Sequence, residues 1–333
     1  MILVTGGTGL VGAHLLYQLV LKHPKVRATH RASSDLASVK KVFSYYTKDV
    51  EALYQKIEWV AANITEIPQL TQAFQGITHV YHCAAFVSFN PKHYHALKKA
   101  NVEGTANVVN IALANHVKKM CYVSSIATLG KSLNGEGITE ETPWNPEDKN
   151  SVYSITKYGA EMEVWRGTQE GLDAVIVNPG VILGEGYWHS SSGRLITRAA
   201  KGVKYYTEGS SGFVDIKDVV KGMVSLMESD IKNERFVLVS ENLTYKEFLG
   251  GLSVALGKPA PSKSISKRTL LFLSSLDWLS SNLFGTKRRL LKGIIHSMFR
   301  YSKYDASKIE KALDFQFTPY EETITRIVKN YKA

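Results

Sequence analysis

The chain opens MILVTGGTGLVG, an apolar run at residues 2–4 followed by glycines at 6, 7, 9 and 12. Apolar-periodic helix formers then occupy 13–20. A strand, a tight glycine turn and a helix N-terminus, in that order, make the element that cradles a dinucleotide pyrophosphate. Gly6 lets the chain turn, Gly9 lets backbone approach a phosphate, and Gly12 lets the helix lie close to the strand. A glycine-rich turn alone would mean little; its strand-before, helix-after context gives the motif its force.

The rest of the chain continues in the same style. Short β-branched runs at 26–30, 57–61, 80–83, 120–124 and 175–178 read as strands, with helical patterns near 13–22, 68–75, 94–115 and 153–170. Strands alternating with helices predict a doubly wound, parallel α/β sheet. From about 184 the alternation fades into Gly, Ser and Tyr, returns over 213–240, and fades again. The expected division is therefore a dinucleotide-binding domain over 1–183 and 213–240. A smaller substrate domain would be assembled from 184–212 and 241–333.

At 333 residues the chain can bury a large core. With the first strand starting at residue 2 no leader is expected, and no run of 18 apolar residues offers a spanning helix. Cys83 and Cys121 lie in apolar runs, which suits buried free thiols in a reducing cytoplasm better than a disulfide or a metal site. The expected location is cytoplasmic and no metal is expected. The net charge is +11, from 41 basic and 30 acidic residues. Residues 262–300 hold eight basic residues and one acid, Asp277, with no aromatic-plus-basic pattern for nucleic acid.

Tyr153 and Lys157 stand four apart, on one face of a helix. A phenol that exchanges a proton near neutrality needs its pKa lowered by roughly three units, about 4 kcal/mol. A neighbouring ammonium in a dry site contributes to that. The same spacing occurs at Tyr94/Lys98 and Tyr304/Lys308. Position selects Tyr153, which follows the 120–124 strand at a distance suited to the sheet's C-terminal edge, where open α/β sheets bind ligands. The other two pairs read as surface tyrosines on helices with an i,i+4 cation.

Taken together, the glycine turn Thr5–Gly12, His82-Cys-Ala-Ala85, Val123-Ser-Ser125, Tyr153-x-x-x-Lys157 and Asn178-Pro-Gly-Val181 resemble the extended short-chain dehydrogenase/reductase family, also called the NAD-dependent epimerase/dehydratase family. The resemblance runs over nearly the whole chain and is strongest across 1–226. It implies a Rossmann core and a catalytic Ser125, Tyr153 and Lys157, with hydride passing directly between nicotinamide and substrate. Tyr153 would exchange the proton, Lys157 would hold the cofactor ribose and lower the Tyr153 pKa, and Ser125 would polarise the carbonyl. By the same resemblance the cofactor would contact Gly6, Thr8, Gly9, Leu10, Val11 and Gly12 at the turn. Asn63 and Ile64 would border the adenine, with Asn63 standing where the family usually has Asp. Ala84, Ala85 and Phe86 would line the middle of the cofactor, and Ser124, Pro179 and Val181 would surround the nicotinamide.

The second strand ends in Thr29-His-Arg31 instead of an acid, which suits a 2′-phosphate and favours NADP(H) over NAD(H), although Asp35 keeps NAD open. Ile126 and Ala127 stand where family dehydratases carry Asp-Glu. The two arginines that hold a sugar-nucleotide diphosphate are replaced at Asn178 and Gly212. The Asn178-Pro form resembles the dihydroflavonol reductase-like and 3β-hydroxysteroid dehydrogenase-like branch, which acts on carbonyls of mostly apolar small molecules. Asp215 and Asp218 are expected to cap or brace a helix start. Two other functions stay open: a sugar-nucleotide epimerase, and a non-catalytic cofactor-binding sensor or scaffold. The expected partner is a small-molecule substrate and not nucleic acid; a homodimer stays open.

Residues 270–284 place Leu273, Leu276, Leu279 and Leu283 at helical spacing, with Trp278 nearby and cations on both sides. The favoured expectation is a substrate-domain helix whose leucines cover an apolar pocket. Peripheral membrane contact through 263–300 is the alternative.

Overall fold

The structure, a computed structural model, describes every residue except 133–135, 191, 285–287, 289 and 333. In chain order the first strands are β1 (Ile2–Thr5), β2 (Val26–His30), β3 (Ile57–Ala61), β4 (His79–His82), β5 (Lys119–Val123) and β6 (Ala174–Pro179). They are followed by β7 (Val181–Leu183), β8 (Tyr205–Tyr206), β9 (Ser210–Asp215), β10 (Glu234–Leu238), β11 (Glu241–Thr244) and β12 (Lys263–Ser264). Seven of them form one sheet in the order β3-β2-β1-β4-β5-β6-β10, every neighbouring pair parallel. The order reverses between β1 and β4, so the crevice at their C-terminal ends is the switch point where such sheets take ligands.

Both faces of this sheet are covered, which explains why the central strands β1 and β6 are almost continuously apolar. In β6, Val175 and Val177 face the helices Leu10–Lys22 and Ile216–Glu228, while Ala174 and Ile176 face the helices Gly104–Ala114 and Val152–Gln169. All four are at most 1% exposed. Each large aliphatic among them contributes about 1.5–3 kcal/mol of burial.

The excursion from the main sheet begins at Val181. β7, β9 and β11 make a separate three-stranded sheet, and β8 pairs with β12. A second core gathers Leu183, Phe213, Phe248, Leu252, Ile324 and Ile327 around that small sheet. Return to the main body runs through the helix Ile216–Glu228 and β10. Asp215 caps this helix by accepting from the Lys217 amide at 2.8 Å, and Asp218 accepts from Thr318 at 2.7 and 2.9 Å. Both acids therefore brace, as their positions suggested.

The leucines of 270–284 do not cover a pocket. They lie on the helix Lys267–Phe284, where Leu273, Leu276, Leu279 and Leu283 are all exposed, and the helix buries Leu270 and Ser274 instead. The helix docks through a polar seam, and that rotation turns the leucines outward. Lys287 and Arg289 of the flanking basic cluster lie outside the described residues. Among the described residues no helix is long and apolar enough to cross a membrane.

Candidate active site

β1 ends at Thr5 and the chain turns at Gly6, whose φ is 70°. A side chain there would lie 2.7 Å from the Ala84 backbone, and one at Gly12 would collide with the Gly6 carbonyl. The helix Leu10–Lys22 starts from Gly9, with no side chain capping it. A tight glycine cradle and uncapped helical amides fit a pyrophosphate without further groups.

A cleft of about 2910 Å³ runs from this turn along the C-terminal edge of the sheet into the second region. Its wall carries Thr8, Gly9, Leu10, Val11, Gly12, Arg31, Ala85, Phe86, Ser124, Ser125, Tyr153, Lys157, Pro179 and Val181. Motifs from five separate stretches of sequence thus meet in one place. Gly6 and Ala84 sit behind the wall, against one another. Asn63 and Ile64 follow β3 but stay off the wall: the Asn63 carboxamide accepts from the Thr65 amide, and Ile64 is buried against Gly104. Cys83 lines the cleft and Cys121 is buried; both are free thiols, and burial pushes the Cys83 thiol up to about 12.

Tyr153 and Lys157 lie on the helix Val152–Gln169, which Ser151 caps through the Ser154 amide. Burial raises the Tyr153 pKa, and a hydrogen bond with Ser125 pulls it back. Ser125 itself accepts from the Ala127 amide at 3.1 Å, which fixes its rotamer. Lys157 donates to the Tyr122 hydroxyl at 2.6 Å and the Val123 carbonyl at 2.8 Å. Its side chain is fully enclosed, and burial lowers its pKa to about 7 against the opposing influence of Glu161. The phenol and the ammonium therefore share one wall of the cleft, the ammonium held by Tyr122 and Val123 of β5 and the phenol next to Ser125 in the turn after it.

The two competing Tyr-x-x-x-Lys pairs differ from this arrangement. Tyr94 is half-buried and Lys98 exposed, as expected of a surface pair. Tyr304 departs from its expectation: it precedes the helix Ser307–Leu313, bridges to Ile138 and lines the cleft, while Lys308 pairs with Glu234 at 2.9 Å. Tyr304 lies in a bridge outside that helix, so the helical register that their spacing assumed does not hold.

Three groups escaped the sequence reading. The first is Glu161, wholly buried four residues beyond Lys157. It accepts from Ser124, from Thr128 at 2.7 Å and from Asn178 at 3.0 Å, and it pairs with Arg235 at 2.9 Å. The continuation of the Tyr153–Lys157 stripe to an acid at the next helical turn was the available signal. The second is Asn101, on a π-helical segment, Lys98–Glu103, inside the expected 94–115 helix. That bulge turns Asn101 inward to accept from the Phe86 amide at 2.7 Å and to donate to Phe86 and Thr156. The third is Tyr187, which crosses from the second region to donate to the Thr8 carbonyl at 2.8 Å.

Asn178 and Gly212 occupy the positions of the two missing arginines, and both serve the framework. Asn178 is fully buried and donates to Thr128 at 2.9 Å, and a side chain at Gly212 would strike Val239 and Tyr304. At the end of β2 Arg31 is exposed on the wall and, among the described residues, pairs with no carboxylate. Asp35 is off the wall and accepts from the Ala37 amide at 3.0 Å. Lys40 is held by Glu51 at 2.8 Å.

Residues 2–238 match the model of the NAD dependent epimerase/dehydratase family. A putative dihydroflavonol 4-reductase from Synechocystis sp. is 30% identical over 79% of this chain and 74% of its own length. Sterol demethylase protein B from Methylococcus capsulatus is 30% identical over 80% of this chain and 78% of its own. The 3beta-hydroxysteroid-dehydrogenase/decarboxylase isoform 1 of Arabidopsis thaliana is 25% identical over 98% of this chain and 79% of its own. The crystal structure of gox2253 superposes with a TM-score of 0.83 at 25% identity, covering 100% of this chain and 98% of that one.

Proposed function

The chain belongs to the NAD-dependent epimerase/dehydratase family and is an NAD(P)-dependent enzyme; within it, we propose a reductase or dehydrogenase that prefers NADP(H) and acts on a carbonyl or alcohol of a mostly apolar small molecule. One juxtaposition carries the proposal: the Tyr153 phenol, Ser125 and the enclosed Lys157 line one stretch of the cleft that also holds the glycine cradle. Relatives named for a dihydroflavonol, a sterol and a hydroxysteroid support the apolar substrate.

When bound, the nicotinamide would supply or take the hydride. Residues 8–12 would hold the pyrophosphate, and Arg31 a 2′-phosphate. Ser125 donates to the substrate oxygen and orients it toward Tyr153, whose phenolic oxygen gives up a proton in reduction and takes one in oxidation. Lys157 would hold the ribose of the bound cofactor and, as an ammonium, would favour the phenolate state of Tyr153. The Phe89 ring packs against that of Tyr153 at 5.2 Å, and Phe86 and Tyr304 also line the cleft beside it.

A sugar-nucleotide epimerase is the second reading, because Arg194 and Arg300 line the outer cleft and can meet a diphosphate. Turnover separates the two. The purified protein should oxidise NADPH with aldehydes or ketones on apolar frames and leave UDP-sugars unchanged. Tyr153→Phe should reduce kcat by at least about 10²-fold with cofactor affinity kept. Interconversion of UDP-sugars without net NADPH oxidation would overturn the proposal, as would cofactor binding with no turnover of any carbonyl, the behaviour of a sensor.

A further inference from the structure

We propose that the outer face of the helix Lys267–Phe284 is a docking surface for an anionic phospholipid bilayer. The helix is inside out. Leu270 and Ser274 are buried and Asp277 and Ser281 half-buried, so the seam toward the protein is mainly polar. Ser274 donates to the Leu290 carbonyl at 2.7 Å, and the Leu290 amide donates to Asp277 at 3.1 Å. On the far side Phe272, Leu276, Leu279 and Leu283 are 64%, 49%, 47% and 66% exposed. At about 100° per residue these four fall within one arc of about 60° opposite the seam. Trp278 and Phe284, 51% and 77% exposed, lie on the two sides of the helix between the stripe and the seam. Soluble surfaces rarely expose so continuous an apolar stripe without a partner.

Charge selects the occupant. Lys263, Lys267 and Arg268 are exposed before and at the helix start, and Lys292 beyond its end. The one acid of 262–300, Asp277, is turned into the seam. A second copy would bring its own cations against these with no carboxylate to meet them, whereas a leaflet of anionic headgroups complements the cations and takes up the apolar stripe. Ser281 and the following Leu291 and Ile294 line the cleft. The helix thus stands between cleft and bilayer, and on the proposed apolar substrate it offers a short path from one to the other.

Vesicle co-sedimentation without substrate or cofactor tests the docking alone, so its outcome is independent of the enzymatic reading. The protein should partition onto phosphatidylcholine vesicles containing phosphatidylglycerol at low salt, and far less onto phosphatidylcholine alone or in high salt. Trp278 emission should shift to the blue on binding, and Trp278→Phe should abolish that shift. Lys263→Gln, Arg268→Gln and Lys292→Gln together should weaken partitioning about 10²-fold, roughly fivefold per cation. Leu276→Ser, Leu279→Ser and Leu283→Ser, all on exposed positions, should abolish it while leaving the circular dichroism unchanged. Wild-type protein that ignores the anionic vesicles overturns the proposal. So does a concentration-dependent dimer that the serine variant dissociates, which would assign the stripe to a second copy.

Discussion

Removing the charge of Glu161 or its partner tests whether one buried carboxylate holds both walls of the cleft beside Tyr153 and Lys157. Its side chain is 0% exposed and that of Arg235 18%. The acid ties Ser124, at the end of β5, to Asn178, at the end of β6. Arg235→Leu leaves that carboxylate buried without its cation, at a cost of about 3–5 kcal/mol for breaking such a pair. Three hydrogen-bond donors remain to it, so the lower end, about 3 kcal/mol, is expected. At ~2.1 cal/mol/K per residue, a chain of 333 residues has an unfolding entropy near 0.7 kcal/mol/K, so Tm should fall by about 4 °C. Glu161→Gln in the Arg235→Leu background removes the stranded charge and should restore about half of the loss. The assay is thermal unfolding of the wild type, both single variants and the double variant. A coupling of at least about 1.5 kcal/mol is expected, and additivity within about 0.5 kcal/mol would refute the reasoning. Glu161→Gln should also reduce kcat/KM, because loosened Ser124 and Asn178 let the wall drift from its working geometry.

Arg31→Ala should weaken NADPH binding by about 1.5–3 kcal/mol and leave NADH nearly unaffected in titration calorimetry; equal losses would remove Arg31 from 2′-phosphate recognition. Lys157 has a folded pKa of about 7 against about 10.4 when unfolded, so between those values the unfolded chain binds the extra proton. Stability should therefore rise with pH across that window, by about 1.3 kcal/mol per unit near pH ~8.5, and the rise should be missing from Lys157→Met; equal slopes would contradict it.

Much of the fold was legible because short β-branched runs and glycine turns act locally. β2 and β3 fall where the sequence put them, and β4, β5 and β6 lie within a residue or two. What stayed hidden depends on tertiary context. Periodicity cannot show that six residues inside the 94–115 helix widen into a π turn, because the pattern of apolar residues survives while Asn101 changes direction. It also cannot fix the phase of the helix Lys267–Phe284. Its leucines repeat correctly for an inward face, but the Ser274–Leu290 and Asp277–Leu290 hydrogen bonds turn the helix the other way. The site motifs were legible as residues, and the group that holds them together was not. Glu161 touches Ser124, Thr128, Asn178 and Arg235, which are far apart in sequence and meet only when β5, β6 and β10 are side by side.

The central claim is that Tyr153 supplies the proton for hydride transfer to an apolar carbonyl. It is tested most directly with NADPH deuterated at the transferring nicotinamide carbon, a ketone on an apolar frame and mass spectrometry of the alcohol. Wild-type protein should deliver one deuterium to the new carbinol carbon on a single face, and Tyr153→Phe should deliver at least about 10²-fold less under the same conditions. Alcohol without deuterium, or equal labelling by the Tyr153→Phe variant, would contradict it.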